Sequence, residues 1–482
     1  MNIQVTCPSC QQTFSNEPQP EYNQVVCPHC YALFYLPGPP PSPATPGTNF
    51  QPTAAASPSL VKQLVTCGCV MIFLFALILI VTGLVMWFTL GHARATGNQP
   101  IGKTRTAMAA SNPASIASTP ADWTLSRFDA AGTNFNRHEN VIGPANVANL
   151  EVLWSNRHSS SIRGYVSVVG ETAFYGDYGG EFRAVKATTG KTIWKRRLSG
   201  KHQGHAVVGG VCYVSSIGQL FAFDAATGHS LWSKPPPASK KLGGLFLADN
   251  LLFVGSSSPS TLHAVEPTTG KFKWSIPGGG FAALDGVLYK TAGKRLQALD
   301  ARTGNPLWET TVNAGNLGAP AVSDGMLYAF ATTGKLYAFD VTARTSRNRA
   351  PLWVGKTTLL SEGDGTPAPA VGHGKVFLGV ADTFYAFDTT RDGPSERNPV
   401  WKSTLATPFF ASSPTVANHV VYSTAGHHDL FAFDVTTGKV LWKHHAPGRE
   451  HPMRSKPTIV NGTLYHAATF GFTVYAFRVP EK

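Results

Sequence analysis

Seven cysteines mark the 482-residue chain, and six of them lie at or before Cys69. Cys7-Pro8-Ser9-Cys10 and Cys27-Pro28-His29-Cys30 form two C-x2-C pairs separated by sixteen residues. Two thiolates at this spacing clasp one cation from a tight turn, and a second such turn completes a tetrahedral four-sulfur shell. The expectation is a metal centre on Cys7, Cys10, Cys27 and Cys30, with zinc as the structural ion; iron is the alternative that the ligands alone admit. A redox pair would need only one such motif, in an α/β setting. Four thiolates fill the shell, so His29 is spare.

Candidates of another kind recur downstream in short polar segments: Arg163-Gly164, Gln203-Gly204-His205, Gly278-Gly279-Gly280, Glu362-Gly363-Asp364, Phe409-Phe410 and Arg454. If a fold brings them together, Arg163, His205 and Arg454 form a cationic mouth suited to an anionic group. The plain alternative is ordinary polar loops. Asp364 with Glu362 offers carboxylates to a cation, although two fall short of a calcium shell. His427-His428 and His444-His445 are adjacent pairs. Neighbours on a strand face opposite sides, so surface histidines are expected there rather than ligands. Cys212, in Val211-Cys212-Tyr213-Val214, reads as a small buried hydrophobe.

Five segments must position these residues. Residues 1–36 carry the cysteine pairs, each after a β-prone stretch (Ile3-Gln4-Val5, Gln24-Val25-Val26) and before an aromatic (Phe14, Phe34). That is the pattern of two hairpins closing on a metal, which supplies the folding energy that so short a segment lacks. This segment resembles the short zinc-ribbon family of bacterial membrane proteins. Residues 37–67 form a Pro-rich linker, with eight prolines between Pro37 and Leu60. Residues 68–90 (GCVMIFLFALILIVTGLVMWFTL) carry no charge. At 1.5 Å per residue they reach about 34 Å, enough for one transmembrane helix. Cys67 and Cys69 stand at its edge, where acylation competes with a plain reading as small residues. Residues 91–120 read as a flexible tether.

Residues 121–482 are a repeat. Copies read EFRAVKATTGKTIW (Glu181–Trp194), LFAFDAATGHSLW (Leu220–Trp232), LHAVEPTTGKFKW (Leu262–Trp274), LQALDARTGNPLW (Leu296–Trp308) and LFAFDVTTGKVLW (Leu430–Trp442). Longer versions end at Trp353 and Trp401. Successive tryptophans are 40, 38, 42, 34, 45, 48 and 41 residues apart from Trp154 onward. A period near 40 with strand patterning means a propeller, since solenoid coils are shorter. Asp opens a turn, Thr-Gly supplies the positive-φ position, and Trp packs on the next unit. The last copy, from Val474, has no Trp, while Glu151–Trp154 is a strand with no unit before it. The fold class expected is therefore all-β: an eight-bladed β-propeller of four-stranded blades, closed by pairing its two ends. A small N-terminal zinc ribbon and one transmembrane helix complete the chain.

The repeats resemble the pyrroloquinoline-quinone (PQQ) type propeller, with its AxD-xx-TG-xx-W signature. The lead-in Trp123-Thr124-Leu125-Ser126-Arg127-Phe128-Asp129, with Asn134-Phe135-Asn136, Ile142, Asn146-Val147, Leu150 and Trp154, is similar to the opening of quinoprotein alcohol dehydrogenases. That resemblance implies the fold. For activity it implies an adjacent Cys-Cys pair, an acidic calcium ligand with an Asn, a catalytic Asp and a Trp under the quinone. This chain has no adjacent cysteines, its propeller tryptophans from Trp194 on are used by the repeat, and long pocket-building insertions are missing. PQQ and calcium are therefore not expected as cofactors, and a non-catalytic binding scaffold of the bacterial envelope is favoured. The other readings are a PQQ-dependent dehydrogenase and a transmembrane sensor signalling through the ribbon.

Composition narrows the partners. The net charge is +13, with hydrophobic residues at 43%, charged residues at 14%, 47 glycines and 35 prolines. These values exclude a disordered chain and a long helical bundle. Residues 1–60 contain no Lys or Arg, so the ribbon has nothing to meet phosphates and no nucleic acid is expected. The expected partners are the membrane, crossed once, and a protein or envelope polymer on the propeller. Zinc thiolates suit a reducing cytosol, which puts the ribbon in the cytoplasm and the propeller outside. The flanking charges, Lys62 against Arg94, Lys103 and Arg105, point the other way.

Overall fold

The structure is a computed structural model. It describes residue 119 and residues 121–481, apart from 163, 238–240, 258–259, 314, 344–348, 359–365, 410–412, 427–428, 448–454 and 469–471, together with four short strands before residue 36. Met1–Thr106 and Ala107–Lys482 are separate compact units.

In the first unit, Ile3–Thr6 pairs antiparallel with Thr13–Asn16, and Gln24–Val26 with Leu33–Tyr35. These are the two hairpins expected around the C-x2-C pairs. Cys7, Cys10, Cys27 and Cys30 themselves, and the apolar run 68–90, lie outside the described residues. Among the described residues no helix is long and apolar enough to cross a membrane, and no group of three His, Cys, Asp or Glu is placed to hold a metal.

In the second unit eight antiparallel sheets follow one another, and the first strands of neighbouring sheets adjoin at the centre. Those inner strands are Ser167–Val169, His202–Val208, Leu242–Ala248, Gly280–Leu284, Ala321–Ser323, Ala370–Gly372, Thr415–Ala417 and Thr458–Val460, of blades 1 to 8 in order. Middle strands such as Met326–Ala331 and Lys335–Asp340 are buried almost throughout. Each blade packs on a neighbour at both faces, so alternation there separates large from small rather than apolar from polar. The eighth sheet is completed as the sequence implies. Thr473–Arg478 pairs with Glu151–Arg157, placing Ala476 opposite Trp154. Closure leaves no terminal sheet face open.

The Asp-Thr-Gly-Trp signature joins one blade to the next. Asp224 Oδ1 accepts from the Thr227 amide (2.8 Å) and hydroxyl (2.7 Å), which folds the turn. Gly228 follows at φ +69°, and a Cβ there would lie 2.6 Å from the Trp194 ring of the preceding blade. Glycine is thus required both for its backbone angle and for the ring above it. The Trp194 indole N–H donates to the Ala225 carbonyl at 2.9 Å. Trp154, Trp232, Trp274 and Trp401 donate in the same way to Ala187, Pro267, Arg302 and Val435.

Blades 5 and 6 lack Thr-Gly and use another device. Arg349 lies over the Trp308 ring (4.8 Å) and Arg397 over Trp353 (4.6 Å), so a guanidinium stacks where the turn would sit. Glu396–Arg397 also adds a parallel fifth strand to blade 5, outside Trp353–Lys356. Blade 7 gains a fifth strand on its inner side from Phe135–Asn136. Two blades are therefore five-stranded rather than four-stranded, because irregular segments pair with edges that would otherwise stay open.

Candidate functional site

The central channel is where eight blades converge, and the lead-in closes one end of it. The carbonyls of Thr124, Ala130, Ala131, Thr133 and Asn134 accept hydrogen bonds of 2.8–2.9 Å from the amides of Val207, Ala283, Val322, Val371 and Val416. Trp123 exchanges two backbone bonds with Val168. The Asn136 side chain donates to Ile459 O at 2.8 Å. Residues 123–136 thus tie to the inner strands of blades 1, 2, 4, 5, 6, 7 and 8. The inner ends of the strands would otherwise leave unpaired N–H groups facing the axis.

Arg127 anchors this plug. It is 8% exposed. Its guanidinium donates to Pro320 O (2.7 Å), Gly132 O (2.5 Å) and Pro369 O (3.4 Å), joining the plug to blades 5 and 6. Burial lowers its pKa to about 10, and the nearby Asp129 opposes that fall. Asp129 is otherwise engaged: its oxygens accept from the Thr133 amide and hydroxyl and face Arg137 at 3.7 Å.

Of the sequence candidates, His205 lies on the inner strand of blade 2, His202–Val208. Arg163, Asp364 and Arg454 lie outside the described residues, as do Glu362, His427 and His428. His205 is described, and it is not a mouth cation. It is fully buried, stacks on Tyr165 at 4.5 Å, and its Nδ1 shares a 3.1 Å hydrogen bond with His202 Nε2. Desolvation holds its pKa well below the ordinary histidine value, and the neighbouring His202 adds to that effect. The ring is therefore neutral at pH 7. Its expected charge fails because the residues around it are aromatic rather than acidic.

Other candidates fall as their surroundings dictate. Cys212 is buried and free. His445 is exposed and bonds to Asp429 at 2.8 Å. Its neighbour His444 is not a surface residue: it turns inward, 4.7 Å from Phe477 and 5.3 Å from Tyr475 of blade 8. Phe409 is fully buried, 5.2 Å from Phe384.

Three channel residues escaped sequence reasoning. Tyr165 is 5% exposed, and among the described residues its hydroxyl makes no well-formed hydrogen bond, with only loose approaches to the His205 backbone and Ser167. Lys456 donates its amide to Gly164 O at 3.0 Å, which sets it beside Tyr165. By accessible surface Lys456 is only half-buried, yet desolvation draws its pKa down to about 7, with the Arg127 charge adding to the fall. Arg127 itself was part of a quoted motif but had no assigned role. Only its place in the lead-in could have hinted at burial.

The buried histidines set an acid limit. Burial lowers the pKa of His202 and of His466 to about 3. The unfolded chain binds their protons near pH 6.5 and the folded one does not, so their stabilisation is complete above pH 6.5 and declines as pH falls toward 3. Each contributes a slope of about 1.4 kcal/mol per pH unit in that window. Urea unfolding at pH 7 and pH 5 is expected to show the loss, and His466→Gln to flatten it. An unchanged slope in that variant would exclude His466 as a source.

Set against known proteins, the chain is 25% identical over 341 residues to the tetrathionate hydrolase of Acidithiobacillus ferrooxidans, covering 58% of this chain and 66% of that one. It is 23% identical over 330 residues to the outer membrane protein assembly factor BamB of Yersinia pestis, covering 64% of this chain and 66% of that protein. The chain thus spans just under two thirds of these relatives. Among solved structures, BamB from Moraxella catarrhalis superposes with a TM-score of 0.54 at 18% identity, over 68% of this chain and 99% of that one. A quinohemoprotein alcohol dehydrogenase from Pseudomonas putida HK5 gives 0.59 at 15% identity, over 75% and 81%. Those two likenesses show the fold. The sequence model of the family described as outer membrane protein assembly factor BamB matches residues 138–278, 258–389 and 341–479, nearly the whole ring from the plug to the closing strand, and to that family this chain belongs.

Proposed function

We propose that the protein is a membrane-anchored, non-catalytic binding and assembly scaffold of the cell envelope. The observation that carries this reading is the family match over almost the entire propeller, with a relative named as an assembly factor. The geometry supports it. A ring closed at one end by its own lead-in offers partners its rim and outer strands. Val152, Leu153, Ile193 and Leu231 stand exposed on the outer strands of three successive blades, 8, 1 and 2. Unpaired outer strands with apolar side chains suit a protein partner that adds along an edge. Residues 68–90 supply the anchor in this reading, with the ribbon cytoplasmic and the propeller outside.

The test uses the full chain in its own membrane. Cross-linking from outer-strand positions is expected to capture defined envelope-assembly proteins, and Ile193→Asp with Leu231→Asp to abolish that capture at unchanged abundance. The same protein supplied with PQQ and calcium is expected to give no dye-linked alcohol oxidation. Robust turnover, or cross-links unaffected by the two substitutions, would overturn the reading.

A further inference from the structure

Blade 5 carries an example of what an outer edge of this ring accepts. Glu396–Arg397 adds in parallel outside Trp353–Lys356, with Glu396 opposite Val354. The Val354 amide donates to Ser395 O at 2.8 Å, and Lys356 Nζ meets Glu396 Oε2 at 2.7 Å. An extended acidic segment thus joins backbone to backbone, and a cation on the edge strand takes its carboxylate.

Among the described residues, the outer strands of the other seven blades end their sheets with that edge unfilled. One of them repeats the chemistry of blade 5 with more charge. Thr192–Arg197 of blade 1 carries Lys195, Arg196 and Arg197, with no acidic residue and no proline. None of the other six carries more than one Lys or Arg. Counted from the blade tryptophans, Lys195 stands where Val354 does and Arg197 where Lys356 does. The Leu198 amide points inward, to Gly180 O at 2.7 Å, so the Lys195 and Arg197 amides, at the alternate positions, point out of the sheet edge. Both side chains are exposed. Lys195 shares Glu181 with Arg183, at 3.6 Å from Nζ to Oε2, and among the described residues Arg197 has no carboxylate within ion-pair distance. Ile193 lies on the same face of the strand and is 51% exposed.

We propose that the outer edge of blade 1 takes an extended acidic segment of a partner protein as a fifth strand, with its carboxylates on Lys195 and Arg197. The Lys195 carbonyl, which accepts from the Arg196 guanidinium at 2.9 Å, exchanges that exposed bond for a partner amide. The chain's own N-terminal third of linkers does not match this chemistry, since residues 1–120 hold only Glu17 and Glu21 as acidic residues. The proposal rests on the scaffold reading and narrows it to one blade and one partner chemistry.

The purified full-length chain in detergent would be titrated against a fluorescent peptide of alternating Glu and Thr, read by anisotropy at low salt. Binding is expected with a Kd below about 100 μM, together with slower hydrogen exchange at the Lys195 amide. Lys195→Glu with Arg197→Glu is expected to weaken it about tenfold or more. Lys234→Glu with Lys402→Glu, the same change in charge on two other edges, is expected to leave it unchanged. A peptide of alternating Glu and Pro has the same charge but lacks every second N–H, and is expected to bind about tenfold more weakly. The proposal is overturned if the Glu-Pro peptide binds as well, which would mean counterion attraction without strand addition. It is also overturned if the Lys195 and Arg197 reversals bind as the parent does. The peptide assay needs no envelope partner, so the two readings fail separately. Lost peptide binding with envelope cross-links intact strikes the blade 1 site alone, and retained binding without cross-links strikes the scaffold reading alone.

Discussion

Trp194→Ala is expected to destabilise the propeller by about 3–5 kcal/mol, measured by equilibrium denaturation. The indole is 7% exposed, donates to Ala225 O, and lies against Phe174, Phe182 and Gly228. Its loss opens a cavity between blades 1 and 2 and leaves a turn carbonyl without its donor. Trp274 makes the equivalent hydrogen bond to Arg302 O but is only half-buried, so Trp274→Ala is expected to cost about half as much, in proportion to the area removed from water. Equal losses at the two sites would mean that the hydrogen bond, not burial, carries the joint. Gly228→Ala tests the other side of the contact. A methyl there meets the ring and forces a left-handed angle, for about 1–3 kcal/mol. Combined with Trp194→Ala, its clash disappears, so the double variant is expected to lose less than the sum. Strict additivity would show that the backbone angle alone demands glycine.

How far the sequence reveals this molecule depends on which groups make each contact. The Trp joints and the Asp-Thr-Gly turns are made by side chains that recur at fixed spacing, and the pairing of Glu151–Arg157 with Thr473–Arg478 follows from counting them, because the last repeat lacks a Trp and the first Trp lacks a repeat, so all of these are legible. The plug is not. Its bonds run from the backbone carbonyls of Thr124, Ala130, Ala131, Thr133 and Asn134, and a carbonyl has no sequence signature. The fifth strands of blades 5 and 7 escape for the same reason. His205 was legible as a channel residue but not as a neutral one, since its environment comes from Tyr165, His202 and Phe182. Of these only His202 lies within three residues of it. Lys456 looks like any surface lysine until the amide bond to Gly164 sets it beside Tyr165.

The plug itself yields the second large effect. Arg127→Met is expected to cost about 2–4 kcal/mol, because the buried carbonyls of Pro320, Gly132 and Pro369 lose their common donor while the apolar stem is kept. Removing a buried charge offsets part of that loss, so the figure stays below the sum for three separate bonds. The diagnostic readout is local. The amides of Val207, Ala283, Val322, Val371 and Val416 belong to five different blades, yet all donate to the same lead-in. If Arg127 holds that segment in place, hydrogen exchange at these five amides should accelerate together in the variant, by a common factor. The amides inside Met326–Ala331 and Lys375–Val380, which pair within their own sheets, should keep their protection. A single cooperative opening across five blades is possible only if residues 123–136 detach as one unit. Exchange that rises at the blade 5 and 6 amides alone would show instead that Arg127 ties down only its immediate neighbours, and that the plug is held piecewise by its backbone bonds.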